Sequence, residues 1–370
     1  MKDSRRNIPF FPYSELYESD KENFNRIFED VCSRGAYILQ EDLEEFENDL
    51  KDFLNVKYVY GVANGTDALI LGLKAIGLST GDEVIMPSHT YIASPASVHL
   101  VGGTPILAEC SQDGMLDIGD IEHRITDKTK AIMPVHINGR TCKMDKIEEI
   151  AKKYGLKIVE DAAQGLGSKF RDKCAGTFGA FGTISFYPAK LLGCFGDGGL
   201  IMTNDSAISE KISLLRDHGR NEEGKVIAWG YNSRLDNLQA AILKFKLSKY
   251  ESEIKHRRSI AKIYHNGLKD IDALKLPEPP TDGDHFDVYQ NYELRAKNRE
   301  DLREFLTKKG IGTIIQWAGT PVHKFSDLGF DQSLEKTEEF FRECFMIPMN
   351  FAVKEEEANY IVDAIKEFYE

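Results

Sequence analysis

The sequence lacks any run of eighteen apolar residues, so it predicts no membrane-spanning helix. Its start, "MKDSRRNIPFFPYS", carries basic side chains with no apolar stretch behind them, which is not the pattern of a secretory signal. Cations are in deficit. The 47 Lys and Arg face 60 Asp and Glu, and the net charge of −13 disfavours a nucleic acid or an anionic membrane as partner. The six cysteines (Cys32, Cys110, Cys142, Cys174, Cys194 and Cys344) form no CxxC pair and have no histidine at ligand spacing. Neither a disulfide framework nor a metal site is expected. A cytoplasmic protein with reduced thiols fits these absences. Internal repeats and low-complexity segments are missing as well.

What is present is a long chain with a large apolar share. The 370 residues are 42% hydrophobic, more than one small core needs, which predicts a large α/β domain and a smaller second one. The first fifty residues read as helices, with "DLEEFENDLKDFL" amphipathic. Short β-rich runs then alternate with helical stretches: "KYVYGV", "DEVIMP", "TPILAE", "KAIMPVH" and "LKIVED" read as strands. That alternation predicts a mostly parallel sheet covered on both faces. "GGLIMTND" adds a strand, and one long helix is expected across Leu247–Lys262. The proline-rich "LPEPPTDGD", Leu276 to Asp284, reads as a linker. The expected division is residues 1–250 as the large domain and 251–370 as a small α+β domain.

Three groups stand where open parallel sheets bind ligands, beyond the carboxyl ends of strands. In "VANGTDAL" a strand runs into a helix opened by Asn64, Gly65 and Thr66. Free N–H groups and the helix dipole there suit a phosphate, although an ordinary N-cap has the same residues. In "IVEDAAQGLGS", Asp161 leaves the sheet directly after "KIV", with Gln164 three residues on. A carboxylate there could keep a nitrogen heterocycle protonated, or simply cap a helix. In "FYPAKLLGCFGDGG", Lys190 is the one cation in an apolar, glycine-rich stretch that also holds a tight turn at Asp197-Gly198. Desolvation lowers an amine's pKa and makes it nucleophilic, whereas an ordinary lysine snorkels to water. A phosphate site, a ring-nitrogen partner and an amine for an aldehyde together match the three handles of pyridoxal phosphate (PLP).

The same residues carry a resemblance. "ANGTDAL", "EVIMPSHTYIAS", "AIMPVHINGR", "VEDAAQGLGS", "SFYPAKLLGCFGDGGLIMTND" and "GYNSRLDNLQAAIL" make the chain similar to the DegT/DnrJ/EryC1/StrS family of PLP-dependent sugar aminotransferases, over nearly its whole length. The resemblance implies the fold-type-I aminotransferase architecture: a mostly parallel, mixed seven-stranded sheet flanked by helices. It implies that Lys190 binds the cofactor aldehyde, Asp161 pairs the ring nitrogen and Gln164 faces the ring oxygen. It places Gly65, Thr66 and Ser185 at the phosphate, with Ser185 just before a strand bearing the lysine, and Tyr91 on the ring face. Tyr91 alone would read as a core strand residue. Asn232 falls on a residue that a partner subunit supplies to the phosphate, which implies a homodimer with shared sites. By itself Asn232 reads as a turn residue before a helix starting near Arg234.

The activity implied is transfer of an amino group from L-glutamate to a nucleotide-linked keto sugar. Lysine at position 190, where a dehydrating branch has histidine, favours transamination. "GIGTIIQW" and His323 resemble the branch that aminates C-3 of dTDP-3-keto-6-deoxyhexoses; C-4 amination is the alternative. Gln316-Trp317 stands where that branch has His-Tyr, and Gln40-Glu41 where the family often has Gly-Pro. Arg220 and Arg234 could meet a sugar diphosphate or form surface ion pairs. His136 reads as a strand-end histidine satisfied by backbone, and His89 as a loop residue or a group behind the site. From another class, a PLP-binding regulatory protein without turnover remains an open reading.

Overall fold

The structure is a computed structural model and describes residues 6–281 and 283–370. Its first elements are helices α1 (Tyr13–Glu18), α2 (Lys21–Arg34) and α3 (Glu41–Leu54). Strand β1 (Tyr58–Val62), α4 (Gly65–Ala75), β2 (Glu83–Pro87), α5 (Ala93–Leu100), β3 (Thr104–Ala108), α6 (Ile118–Arg124), β4 (Thr129–Ile132), α7 (Met144–Tyr154) and β5 (Lys157–Asp161) follow. After a small ribbon, β6 (Lys169–Phe170) and β7 (Lys173–Cys174), come β8 (Phe181–Ser185) and β9 (Gly199–Thr203).

The seven long strands form one sheet in the order β1-β9-β8-β5-β4-β2-β3. β9 alone runs against its neighbours, since both β1 and β8 pair with it antiparallel. β9 follows β8 through residues 186–198, which hold no helix, so the chain turns back beside β8 instead of crossing over. Both faces of the sheet are buried. On β2, Val84 and Met86 enter one apolar cluster with Leu69, Val159 and Phe181, while Ile85 enters another with Ile132, Ile147 and Ile158.

Helices α8 (Ser206–Arg216), α9 (Asn237–Leu247) and α10 (Tyr250–Leu268) lead to the C-terminal part. There β10 (Leu274–Lys275), β11 (His285–Phe286), β12 (Tyr292–Ala296), α11 (Arg299–Lys308), α12 (Glu335–Glu343), β13 (Cys344–Ile347) and α13 (Glu355–Tyr369) complete the chain. β10, β12 and β13 form a separate antiparallel sheet with its own cluster, including Tyr264, Tyr292, Leu302, Phe345 and Ile361. β11 instead extends the β6–β7 ribbon.

Four expectations change. The helix expected over Leu247–Lys262 is broken at Ser248 and Lys249, between Asn237–Leu247 and Tyr250–Leu268. The preceding helix starts at Asn237, not near Arg234. Asp197-Gly198 is no tight hairpin turn, because the β8–β9 connection spans residues 186–198. Lys190 lies in that loop and not on a strand; the strand is β8, "FGTIS", which its glycine and small residues concealed.

Candidate active site

Three strand ends meet at one edge. Ser185 of β8 pairs with Gly199 of β9, which pairs with Val62 of β1. The chain beyond Val62 therefore enters α4 directly beside Ser185. Asn64 is extended, and its side chain caps the helix by accepting the Asp67 N–H at 2.8 Å. The N–H groups of Gly65 and Thr66 precede the first helical bond and point outward with the dipole. Space is tight: a Cβ on Gly65 would sit 3.0 Å from the Ser185 Cβ, and one on Gly199 would sit 2.4 Å from the Asn64 carbonyl. The helix N-terminus and the Ser185 hydroxyl thus stand side by side, an arrangement that suits an anion such as a phosphate.

Asp161 ends β5, next to β8, and is 5% exposed. Its Oδ1 accepts the Ala163 N–H at 3.1 Å, and its Oδ2 accepts the Ser94 hydroxyl at 2.7 Å. Ser94 lies 2.6 Å from the Thr90 hydroxyl. Since Ser94 gives its proton to Asp161, Thr90 donates to Ser94, and the chain Thr90→Ser94→Asp161 has one direction. It fixes the orientation of the carboxylate. Gln164 is half-buried, and its Oε1 accepts the Asn138 N–H at 2.7 Å, which leaves the amide NH2 to face the cleft.

Lys190 sits in the loop beside these groups. Burial pulls its amine down from the ordinary 10.5 to about 8, and the nearby Asp161 carboxylate opposes that shift. In the cofactor-free chain, labelling of Lys190 by an amine-selective reagent should therefore rise with pH to a half-maximum near 8. Mass spectrometry across a pH series reads it; a midpoint at the ordinary lysine value would contradict the burial.

The remaining candidates divide. Tyr91 is 57% exposed and so is not a core strand residue; it stands between β2 and α5 with its ring free to cover a ligand. Gln316 is 3% exposed and donates to the Asn138 Oδ1 at 2.6 Å, one residue link from Gln164. His323 is shut in. Ser88 accepts the His323 backbone N–H at 3.1 Å and donates to Nδ1 at 2.7 Å, with Glu338 3.4 Å from Nε2. Burial lowers its pKa, and no substrate face is left on it. Arg234 is held 2.5 Å from Asp217, whereas Arg220, 3.8 Å from the same carboxylate, is largely exposed. Asn232 is exposed, bridges to Asp217 at the base of a hairpin, and lines a pocket with Ala63 and Asp197.

His136 is satisfied less by backbone than expected. Its Nδ1 accepts the Cys142 N–H at 3.1 Å, so Nε2 carries the proton and faces Glu160 at 2.9 Å. Glu160 also accepts N–H groups from Gly176, Phe178 and Gly179 at 2.6–2.7 Å. This buried knot anchors the end of β5 that carries Asp161. His89 is buried too, its Nδ1 donating to the Gly114 carbonyl at 2.8 Å. Ser94, Thr90, Asn138 and Glu160 were missed as site-building residues. The four-residue spacing of Thr90 and Ser94, one helical turn, was the available signal.

The residues fit PLP on the structure's own terms: a helix N-terminus beside the Ser185 hydroxyl, a buried carboxylate oriented by two hydrogen bonds and a desolvated lysine share one sheet edge. Comparison with known proteins agrees. A curated relative, the Pleiotropic regulatory protein of Geobacillus stearothermophilus, is 36% identical over 369 residues, covering 98% of this chain and 99% of that one. The dTDP-3-amino-3,4,6-trideoxy-alpha-D-glucose transaminase of Streptomyces venezuelae is 35% identical, covering 98% and 96%. The crystal structure of S. venezuelae DesV in complex with a ketimine intermediate superposes with a TM-score of 0.94 at 35% identity, covering 98% and 99%. The model of the DegT/DnrJ/EryC1/StrS aminotransferase family matches residues 18–366. The chain belongs to this family and is a PLP-dependent sugar aminotransferase of α/β fold.

Proposed function

We propose that the chain moves an amino group from L-glutamate to C-3 of a dTDP-3-keto-6-deoxyhexose, and that Lys190 does the proton work. The observation that carries the reading is the depressed amine of Lys190 beside the oriented carboxylate of Asp161. Bound PLP supplies an electron sink and carries the amino group between the two substrates. Gly65, Thr66 and Ser185 hold its phosphate, Asp161 keeps a proton on the ring nitrogen, Gln164 meets the ring oxygen and Tyr91 covers the ring. Lys190 Nζ, once released, accepts the proton from the donor Cα. In the second half-reaction it delivers a proton to the sugar C-3. Its pKa near 8 suits both tasks, because the amine is readily protonated and deprotonated close to neutral pH.

The C-3 preference is supported by "GIGTIIQW" and by the name of the Streptomyces relative, a transaminase of a dTDP-3-amino sugar. The buried His323 takes no part in it; Gln316, wired to Asn138, is the better candidate for a sugar contact. The test is a panel of 3-keto and 4-keto nucleotide sugars with glutamate, the product position read by NMR. Consumption of the 4-keto sugar alone overturns C-3. The name of the Geobacillus relative favours one second reading, a regulatory role for the PLP-binding fold. Absence of turnover with every sugar in the panel, with cofactor bound, would support that reading instead.

A cytoplasmic homodimer, with a division near residue 250 in each copy, belongs to the same proposal. Between Asp217 and Asn232 a hairpin exposes Val226, Ile227 and Trp229, the last 97% exposed. A second copy covering this apolar tip would bring Asn232 of the partner subunit, and Arg220 beside it, to the phosphate end of the site. Trp229→Glu should give a monomer by light scattering with at least tenfold lower activity. A dimer of unchanged activity would remove the hairpin from the interface.

A further inference from the structure

A pocket of about 190 Å³ lies against the Lys190 loop, lined by Tyr13, Pro188, Lys190, Leu191, Lys246 and Gln290, among others. Leu192 and Cys194 anchor the far side of the loop in the core, and Gln239 pairs with the Phe195 backbone, but Ala189, Lys190 and Leu191 are only partly buried, so packing alone does not fix the lysine. Two further side chains tether the loop closer to it. Lys246 Nζ donates to the Gly193 carbonyl, beyond the lysine. Gln290, from the C-terminal part just before β12, reaches the residues on either side of the lysine. Its Oε1 accepts the Leu191 N–H at 2.6 Å and its Nε2 donates to the Ala189 carbonyl at 2.9 Å. A side-chain amide presents the same donor and acceptor as a peptide group, so Gln290 pairs with the residues on both sides of Lys190 as a neighbouring strand would.

Gln290 is itself firmly placed. It is 6% exposed, and the buried Arg257 donates to its carbonyl at 3.0 Å and to the Met349 carbonyl at 2.7 Å. Its backbone lies against Gly139, where a Cβ would come within 2.6 Å of the Gln290 nitrogen. Gly139 has φ +85, so a larger residue there would strain the backbone as well as push Gln290 away.

We propose that Gln290 is a positioning residue for the transamination, holding the Lys190 amine in its desolvated place through the two flanking peptide groups. This rests on the assignment of Lys190 above. Without the amide, Leu191 N–H and Ala189 C=O turn to water, since both residues are only partly buried. The loop then relaxes and Lys190 gains solvent. Its amine should return toward the ordinary lysine value.

The test uses Gln290→Ala and Gln290→Glu in the full chain. Glu keeps an acceptor for Leu191 N–H but sets a carboxylate against the Ala189 carbonyl. In the holoenzyme, Q290A should lower kcat at least tenfold with KM for the sugar within twofold. In the cofactor-free chain, the midpoint of Lys190 labelling should move up from about 8 by at least one pH unit, and Q290E should move it in the same direction, its carboxylate also favouring the ammonium. A role in stability alone would lower the melting temperature and leave that midpoint in place. Unchanged kcat and midpoint in a folded Q290A overturn the proposal. Should Q290A fail to fold, an unchanged midpoint in Q290E overturns it equally. Neither result touches the role of Lys190, which its own replacement tests.

Discussion

Lys190→Ala should remove turnover, with kcat falling by at least about 10³-fold, because one amine both attaches the cofactor and moves the proton. The fold should survive. Lys190 sits in a loop, partly buried, and neither the Gln290 nor the Lys246 tether uses its side chain. Circular dichroism should be unchanged, and the visible absorbance of cofactor joined to lysine should disappear. Adding a small primary amine to the variant should restore part of the rate, since the pocket once filled by the side chain is left open. Retained absorbance together with retained turnover would move the chemistry to another residue.

Asp161→Asn should be the next most damaging change, with kcat lower by about 10²–10³-fold. Asparagine keeps the shape, and its carbonyl oxygen still accepts one of the two hydrogen bonds from Ser94 and Ala163. The charge is lost, and with it the reason for the ring nitrogen to stay protonated. Ser94→Ala should act in the same direction but more weakly, because the charge remains while its orientation loosens. Steady-state rates of the two variants, each saturated with PLP, separate charge from orientation. An Asp161→Asn rate within threefold of the parent would mean that the charge is not needed.

Much of the site was legible because its parts stand at strand ends. "KIVED" runs apolar and then stops at a carboxylate, and "VANGTD" passes from a strand into a capped helix; both signals are local. Lys190 was visible by its apolar company, but its strand assignment was wrong. The residue that flanks the lysine with its amide, Gln290, stands 99 positions from Leu191. Long-range pairing leaves no periodic trace. β8 escaped notice for another reason: "FGTIS" is too short and too small in its side chains to read as a strand, and only its burial between β5 and β9 makes it one. His323 misled because a histidine near a substrate-like motif reads as a contact, whereas tertiary packing has consumed both of its nitrogens.

The central claim is that a nucleotide-linked keto sugar is the amino acceptor. It is tested most directly in the isolated second half-reaction. The enzyme is first charged with L-glutamate, freed of the keto acid and then mixed with a dTDP-3-keto-6-deoxyhexose as the sole acceptor. Return of the visible absorbance, with one equivalent of 3-amino sugar nucleotide formed per site, is the result expected. If the sugar leaves the charged enzyme unchanged and only a 2-oxo acid restores the absorbance, the chain is an amino-acid transaminase and the account of its acceptor is wrong.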